Sequence, residues 1–133
     1  MSHIKRMSPM RVVEDPVLEG LFYEAFGATR MASSTPDCVG YKAANDPCVI
    51  ITSRDYADQS YGPFIAGQMA RKGARYFQVE NIDAELADLP GAAHLLSRSV
   101  HGGVEEAVIE TADGLLVLAS EMEEVLVGNK TEI

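Results

Sequence analysis

Basic residues are few in this chain of 133 residues. It holds 11 Lys and Arg against 20 Asp and Glu, a formal charge of −9 at neutral pH. A general nucleic-acid binder needs a basic footprint to neutralise phosphates, so this balance argues against one. Long apolar runs are lacking too. Aliphatic runs such as Val49-Ile50-Ile51 and Leu115-Leu116-Val117-Leu118-Ala119 fall far short of the roughly 20 residues that span a bilayer as a helix. The opening Met1-Ser2-His3-Ile4-Lys5-Arg6-Met7 has charge but no apolar stretch behind it, and so does not read as a secretory signal. Cysteine is scarce. Cys38 and Cys48 fit neither a Cys-x-x-Cys redox motif nor a zinc pair, which predicts reduced thiols in the cytoplasm. Dinucleotide and phosphate glycine loops, the nucleophile elbow and the oxygen-cage calcium loop are all missing. No cofactor and no metal site is expected on these grounds.

What is present is ordinary for one globular domain: 47% apolar and 23% charged residues. Asp15-Pro16 opens the clearest helix, a good N-cap followed by a residue suited to the first helical position. Val17, Leu18, Leu21, Phe22, Ala25 and Phe26 recur at helical spacing, and Gly27 supplies a stop. This stripe is expected in the core. Residues 28–47 read mostly as loop, with Cys38-Val39-Gly40-Tyr41 as a possible short strand. Cys48-Val49-Ile50-Ile51-Thr52 reads as a buried strand. A helix over 63–72, a strand over 75–79 and a helix over 84–89 follow, the last continuing past Pro90 to about residue 98. Asp113-Gly114 between two apolar runs is a strong hairpin signal, and Glu124-Val125-Leu126-Val127 is expected to add a third strand. The order predicts an α+β domain with helices packed on one face of a mixed sheet, ending in a C-terminal antiparallel β-meander. No internal repeat is visible.

Charge is unevenly placed. Residues 101–133 carry eight acids and one base, while residues 1–11 carry Lys5, Arg6 and Arg11 and no acid. The first eleven residues would bury no face of their own. They predict a basic N-terminal arm beside a single domain over residues 12–133. Paired carboxylates at Glu105/Glu106 and Glu123/Glu124 are sequence neighbours, which a strand sends to opposite faces. A solvated acidic face explains them better than metal or acid/base chemistry. A basic arm lying on the acidic meander of a neighbour gives head-to-tail contacts, with Lys5, Arg6 and Arg11 meeting Glu105, Glu106, Glu121, Glu123 and Glu124.

A second reading places a ligand after the buried strand. Ser53, Arg54, Asp55, Tyr56, Asp58 and Tyr61 precede a helix N-terminus, where free N–H groups favour an anion. Arg54 is suited to clamp a carboxylate or phosphate, Asp55 or Asp58 to act as base, and the tyrosines to stack. The same residues also serve as turn formers and caps. His101, before Gly102-Gly103, joins them as a possible base. The first reading is preferred: a structural or interaction module rather than an enzyme. It would self-associate or dock on a protein scaffold as a subunit of an assembly such as a virion, shell or tube. No nucleic acid or membrane is expected as partner, and the identity of any small-molecule ligand is left open. The alternative is a small-ligand-binding α+β domain or enzyme that holds an anionic group at residues 53–62.

Overall fold

Alternating side chains set the strands, and helix caps set where the chain leaves them. The computed structural model describes residues 4–32, 34–101 and 103–121. Strand β1 (Ile4–Val13) is followed by α1 (Pro16–Ala25), β2 (Thr29–Arg30), β3 (Cys38–Ala43) and β4 (Asp46–Ser53). Two helices come next, α2 (Arg54–Tyr61) and α3 (Pro63–Lys72). Then follow β5 (Ala74–Val79), α4 (Ile82–Ala87), β6 (His94–His101), β7 (Val104–Thr111) and β8 (Gly114–Glu121). Among the described residues no helix is long and apolar enough to cross a membrane.

The eight strands form one mixed sheet in the order β2-β3-β4-β1-β5-β8-β7-β6. This order contains a repeat. In each half the last strand pairs parallel with the first, β4 with β1 and β8 with β5. The remaining ladders within each half are antiparallel. Each half thus runs strand, helix, then three strands. The halves meet where β1 pairs antiparallel with β5, and α2 and α3 link them in sequence.

The basic arm is therefore corrected. Residues 4–13 are a central strand of their own sheet, with Met10 opposite Ile50 on one side and Ala74 on the other. Pro9 obscures this in the sequence, because a proline cannot donate to a ladder. The structure accommodates it where the parallel ladder with β4 begins, one residue later at Met10. Arg11 donates to Glu19 of α1 at 3.1 Å and to the Tyr23 hydroxyl at 3.3 Å. Its partners are thus in the same chain, and Lys5 stands exposed on β1.

Helices cover both faces of the sheet, not one. Val39, Tyr41, Val49 and Ile51 pack with Tyr23 of α1. Val79, Ala107, Ile109 and Leu118 pack with Ile82 and Leu86 of α4. On the opposite face Met10, Ala74, Val108, Leu115 and Val117 pack with Ala57 and Tyr61 of α2 and with Ile65, Ala66 and Met69 of α3. Strand neighbours such as Ala107 and Val108 point to opposite sides, so the two sets must lie on opposite faces. The expected α1 stripe is largely solvent-facing: Leu18, Leu21, Phe22 and Phe26 are all exposed, Phe26 at 89%. The helix turns Gly20 and Tyr23 inward instead, and Gly20 lies directly against the Tyr41 ring and hydroxyl.

The terminal hairpin is as expected, with Thr111 opposite Gly114. Its outer partner is β6, expected as helix, which pairs antiparallel with β7. A register shift between Leu95 and Ser97 breaks the alternation that would have marked a strand. The third strand expected over residues 124–127, and with it Glu123 and Glu124, lies outside the described residues.

Candidate functional site

A cavity of about 410 Å³ opens on the α2 face of the sheet. It touches Cys38 and Gly40 on β3 and Glu106 on β7. Those strands are five ladder steps apart in the sheet, roughly 24 Å if the sheet were flat, at about 4.8 Å per step. The sheet must curl to bring them to one cavity. Met10, Ile50, Tyr76 and Gln78 line the middle, and Tyr56 and Tyr61 come from α2. Arg6 and Glu121, both exposed, stand at its edge.

The polar centre is Glu106. It sits on β7 beside Ala107, Val108 and Ile109, all fully buried, and is itself 8% exposed. The Tyr61 hydroxyl donates to its Oε1 at 2.5 Å and the Tyr76 hydroxyl to its Oε2 at 2.9 Å. A buried carboxylate without partners is costly, and the two phenols supply them. The phenols are held protonated in return. Burial, then the Glu106 charge, pushes both Tyr61 and Tyr76 well above the usual tyrosine range. Burial also raises Tyr56. The Cys38 thiol, within hydrogen-bonding reach of Tyr56 and Thr52, is pushed up to about 11 by burial and then by Glu106. It stays a thiol at neutral pH and is a poor nucleophile there.

The residues expected as a ligand loop divide. Residues 54–61 are helix α2, not loop. Ser53 is its N-cap: its Oγ accepts from the Tyr56 N–H at 3.0 Å and faces Asp37 Oδ1 at 3.4 Å. Arg54 donates to Asp58 at 2.8 Å in a partly exposed pair one helical turn apart, and Asp55 is exposed. A helix turn sends those three away from the cavity while Tyr56 and Tyr61 reach it. The His101 backbone ends β6, and its side chain is outside the described part of the structure. Among the described residues no three His, Cys, Asp or Glu side chains gather as a metal site.

The acids expected on a solvated surface divide as well. Glu105 and Glu106 do point to opposite faces. Glu105 accepts from Arg98, which also bonds Asp83 at 2.7 Å, and Glu106 is buried in the cavity wall. Sequence reasoning missed Tyr76, Gln78, Met10, Met31 and Cys38 as cavity residues and gave Glu106 the wrong role. A signal was present: an acid directly preceding Ala107-Val108-Ile109 in the most apolar strand of its half.

No model of a known protein family matches the chain, and no curated protein is similar to it in sequence. Similarity appears in the fold. NAD-dependent benzaldehyde dehydrogenase from Legionella pneumophila matches with a TM-score of 0.62 at 12% identity, over 86% of this chain and 98% of that one. A glyoxalase/bleomycin resistance protein/dioxygenase family enzyme from Burkholderia phytofirmans PsJN matches at 0.38 and 14%, over 86% and 97%. The bleomycin-binding protein of Streptomyces verticillus, solved with copper(II)-bleomycin, matches at 0.34 and 12%, over 92% and 98%. The first shares the fold with this chain. The other two score too low to carry an argument.

The expected assembly module is overturned, and with it the self or scaffold partner. Its basic arm is a sheet strand, and among the described residues Glu105 is held by Arg98 while Glu106 and Glu121 line the cavity. The solved structure that shares the fold is named as a benzaldehyde dehydrogenase.

Proposed function

We propose that the chain is a small-molecule-binding domain whose ligand occupies the cavity between α2 and the curled sheet. The observation that carries this is the Tyr61–Glu106–Tyr76 cluster: a buried carboxylate and two phenols converging on a space of about 410 Å³. Pockets of that size, mostly apolar with a few convergent polar groups, suit small organic ligands. The Legionella pneumophila protein of similar fold is named for a small aromatic substrate, benzaldehyde. That is in line with the reading. Tyr56 and Tyr61 keep the ligand role expected for them. Ser53 caps α2, Arg54 and Asp58 form a surface pair on it, and Asp55 is exposed.

An NMR titration with a panel of small organic molecules tests the proposal. Amide shifts are expected to concentrate at Gly40, Tyr56, Gln78 and Glu106, and Ile50→Trp, which fills the cavity, is expected to abolish them. Shifts located elsewhere, or binding unchanged in Ile50→Trp, would overturn it.

A further inference from the structure

The cavity also indicates what charge its ligand carries, an inference that rests on the binding reading above. Each tyrosine hydroxyl has one proton. At Tyr61 and Tyr76 that proton is committed to Glu106, so neither hydroxyl donates into the cavity. A carboxylate has about four acceptor sites, of which the two phenols occupy two. The Tyr61–Glu106–Tyr76 cluster therefore accepts and does not donate, and the donors left in the lining include the neutral Gln78 amide and Tyr56 hydroxyl.

Its charge is also unbalanced. Among the described residues the ion pairs join Arg11 to Glu19, Arg54 to Asp58, and Arg98 to Asp83 and Glu105, and none of them involves Glu106. The sheet register places Glu106 opposite Ala119, Ala119 opposite Gln78, and Gln78 opposite Arg6. Arg6 is thus three strands away at the exposed edge. Cys38, Tyr56, Tyr61 and Tyr76 all hold their protons more tightly, with the Glu106 charge among the causes each time. They are neutral at physiological pH, which leaves Glu106 to set a negative interior. Three tyrosine rings line the same space, and ring faces attract cations. Met10, Met31 and Ile50 supply apolar, adaptable walls.

We infer that the ligand is an organic cation: an ammonium or protonated nitrogen on an apolar or aromatic body, its N–H groups directed at Glu106 and the Tyr76 oxygen. This reverses the expectation of an anion held at residues 53–62, since Arg54 is turned outward and already paired with Asp58.

Three probes sharing one ring decide the matter: benzylammonium, benzyl alcohol and benzoate, titrated by NMR against the full chain at one pH and ionic strength. Benzylammonium is expected to bind about tenfold tighter than benzyl alcohol, the equivalent of about 1.4 kcal/mol, and benzoate weakest. Glu106→Gln is expected to bring the first two to near equality. Tyr76→Phe leaves the carboxylate and is expected to retain the preference. The wild-type ranking stands as a test even if Glu106→Gln fails to fold. Benzoate binding best, which would assign recognition to Arg6, or a preference for the cation surviving Glu106→Gln, would overturn the inference while leaving the binding reading intact. Failure of all three probes to bind would overturn both.

Discussion

The half of the sheet built from β1 to β4 gives the cavity Met10, Cys38, Gly40 and Ile50. The half built from β5 to β8 gives it Tyr76, Gln78 and Glu106. Both halves follow one order of strands and helix, yet only the second places a carboxylate inside. Their opposite faces differ as well. The first half packs Tyr41 on Tyr23, ring centroids 5.6 Å apart, and the Tyr41 hydroxyl donates to Glu24 at 2.7 Å. The second buries aliphatic side chains around Ile109. The comparison shows that the repeated element is the backbone path. Ladder bonds and alternation fix that path, and many side chains satisfy it. The chemistry is free to differ at positions facing the cavity.

If the central β1–β5 ladder makes the halves one cooperative unit, damage to either core lowers the stability of both. Ile109→Ala and Ile51→Ala, each at a fully buried site, are expected to cost about 2–5 kcal/mol. Urea unfolding followed at two probes, one per half, should show one transition moving as a whole. Two separate transitions would break the comparison into independent units.

Smaller effects separate the faces. Glu106→Ala leaves one buried and one half-buried phenol without their acceptor and should cost about 1–3 kcal/mol. Tyr76→Phe, which deletes one bond, should cost about 0.5–1.5 kcal/mol. Equal values for the two would show that the cluster is wetter than the structure implies. Gly20→Ala is a sharper case. Helix propensity alone favours alanine by about 1 kcal/mol. A methyl there would collide with the buried Tyr41 hydroxyl, so a net loss of about 1–3 kcal/mol is expected from overpacking. A stabilised Gly20→Ala would mean that Tyr41 yields freely.

Alkaline pH probes the cavity directly. Cys38 titrates at about 11 in the folded chain against 9.0 for an ordinary thiol. Above pH 9 the unfolded chain loses this proton first and is favoured, so stability falls as pH rises from 9 towards 11. The raised phenols of Tyr61 and Tyr76 add to the fall above their ordinary value of 10.0. Cys38→Ser should flatten the lower part of the profile in urea midpoints measured from pH 8 to 11, and a wild-type profile flat throughout would contradict the raised thiol. The smallest effect is expected at Arg54→Ala. An exposed pair at this spacing is worth about 0.3–0.5 kcal/mol, and benzylammonium binding should not change.

Much of the fold was legible where local rules act alone. Asp15 does cap α1, its carboxylate accepting from Val17 and Leu18 N–H groups. Gly62 and Gly73 bound α3 at positive φ, where other residues are strained. β4, β5 and the 104–121 hairpin lie close to their expected places. β1 and β6 were hidden, one by Pro9 and one by a bulge, because both are held by neighbours rather than by their own pattern.

From the sequence alone came the α+β composition, the caps, most strands and the opposite facing of Glu105 and Glu106, all governed by residues a few positions apart. Which helix face is buried, which acid is surrounded by tyrosines and which end of the chain fills the middle of the sheet were decided by tertiary structure. Pairings such as Tyr61 with Glu106, 45 residues apart, form only when the sheet curls and brings distant strands to one cavity.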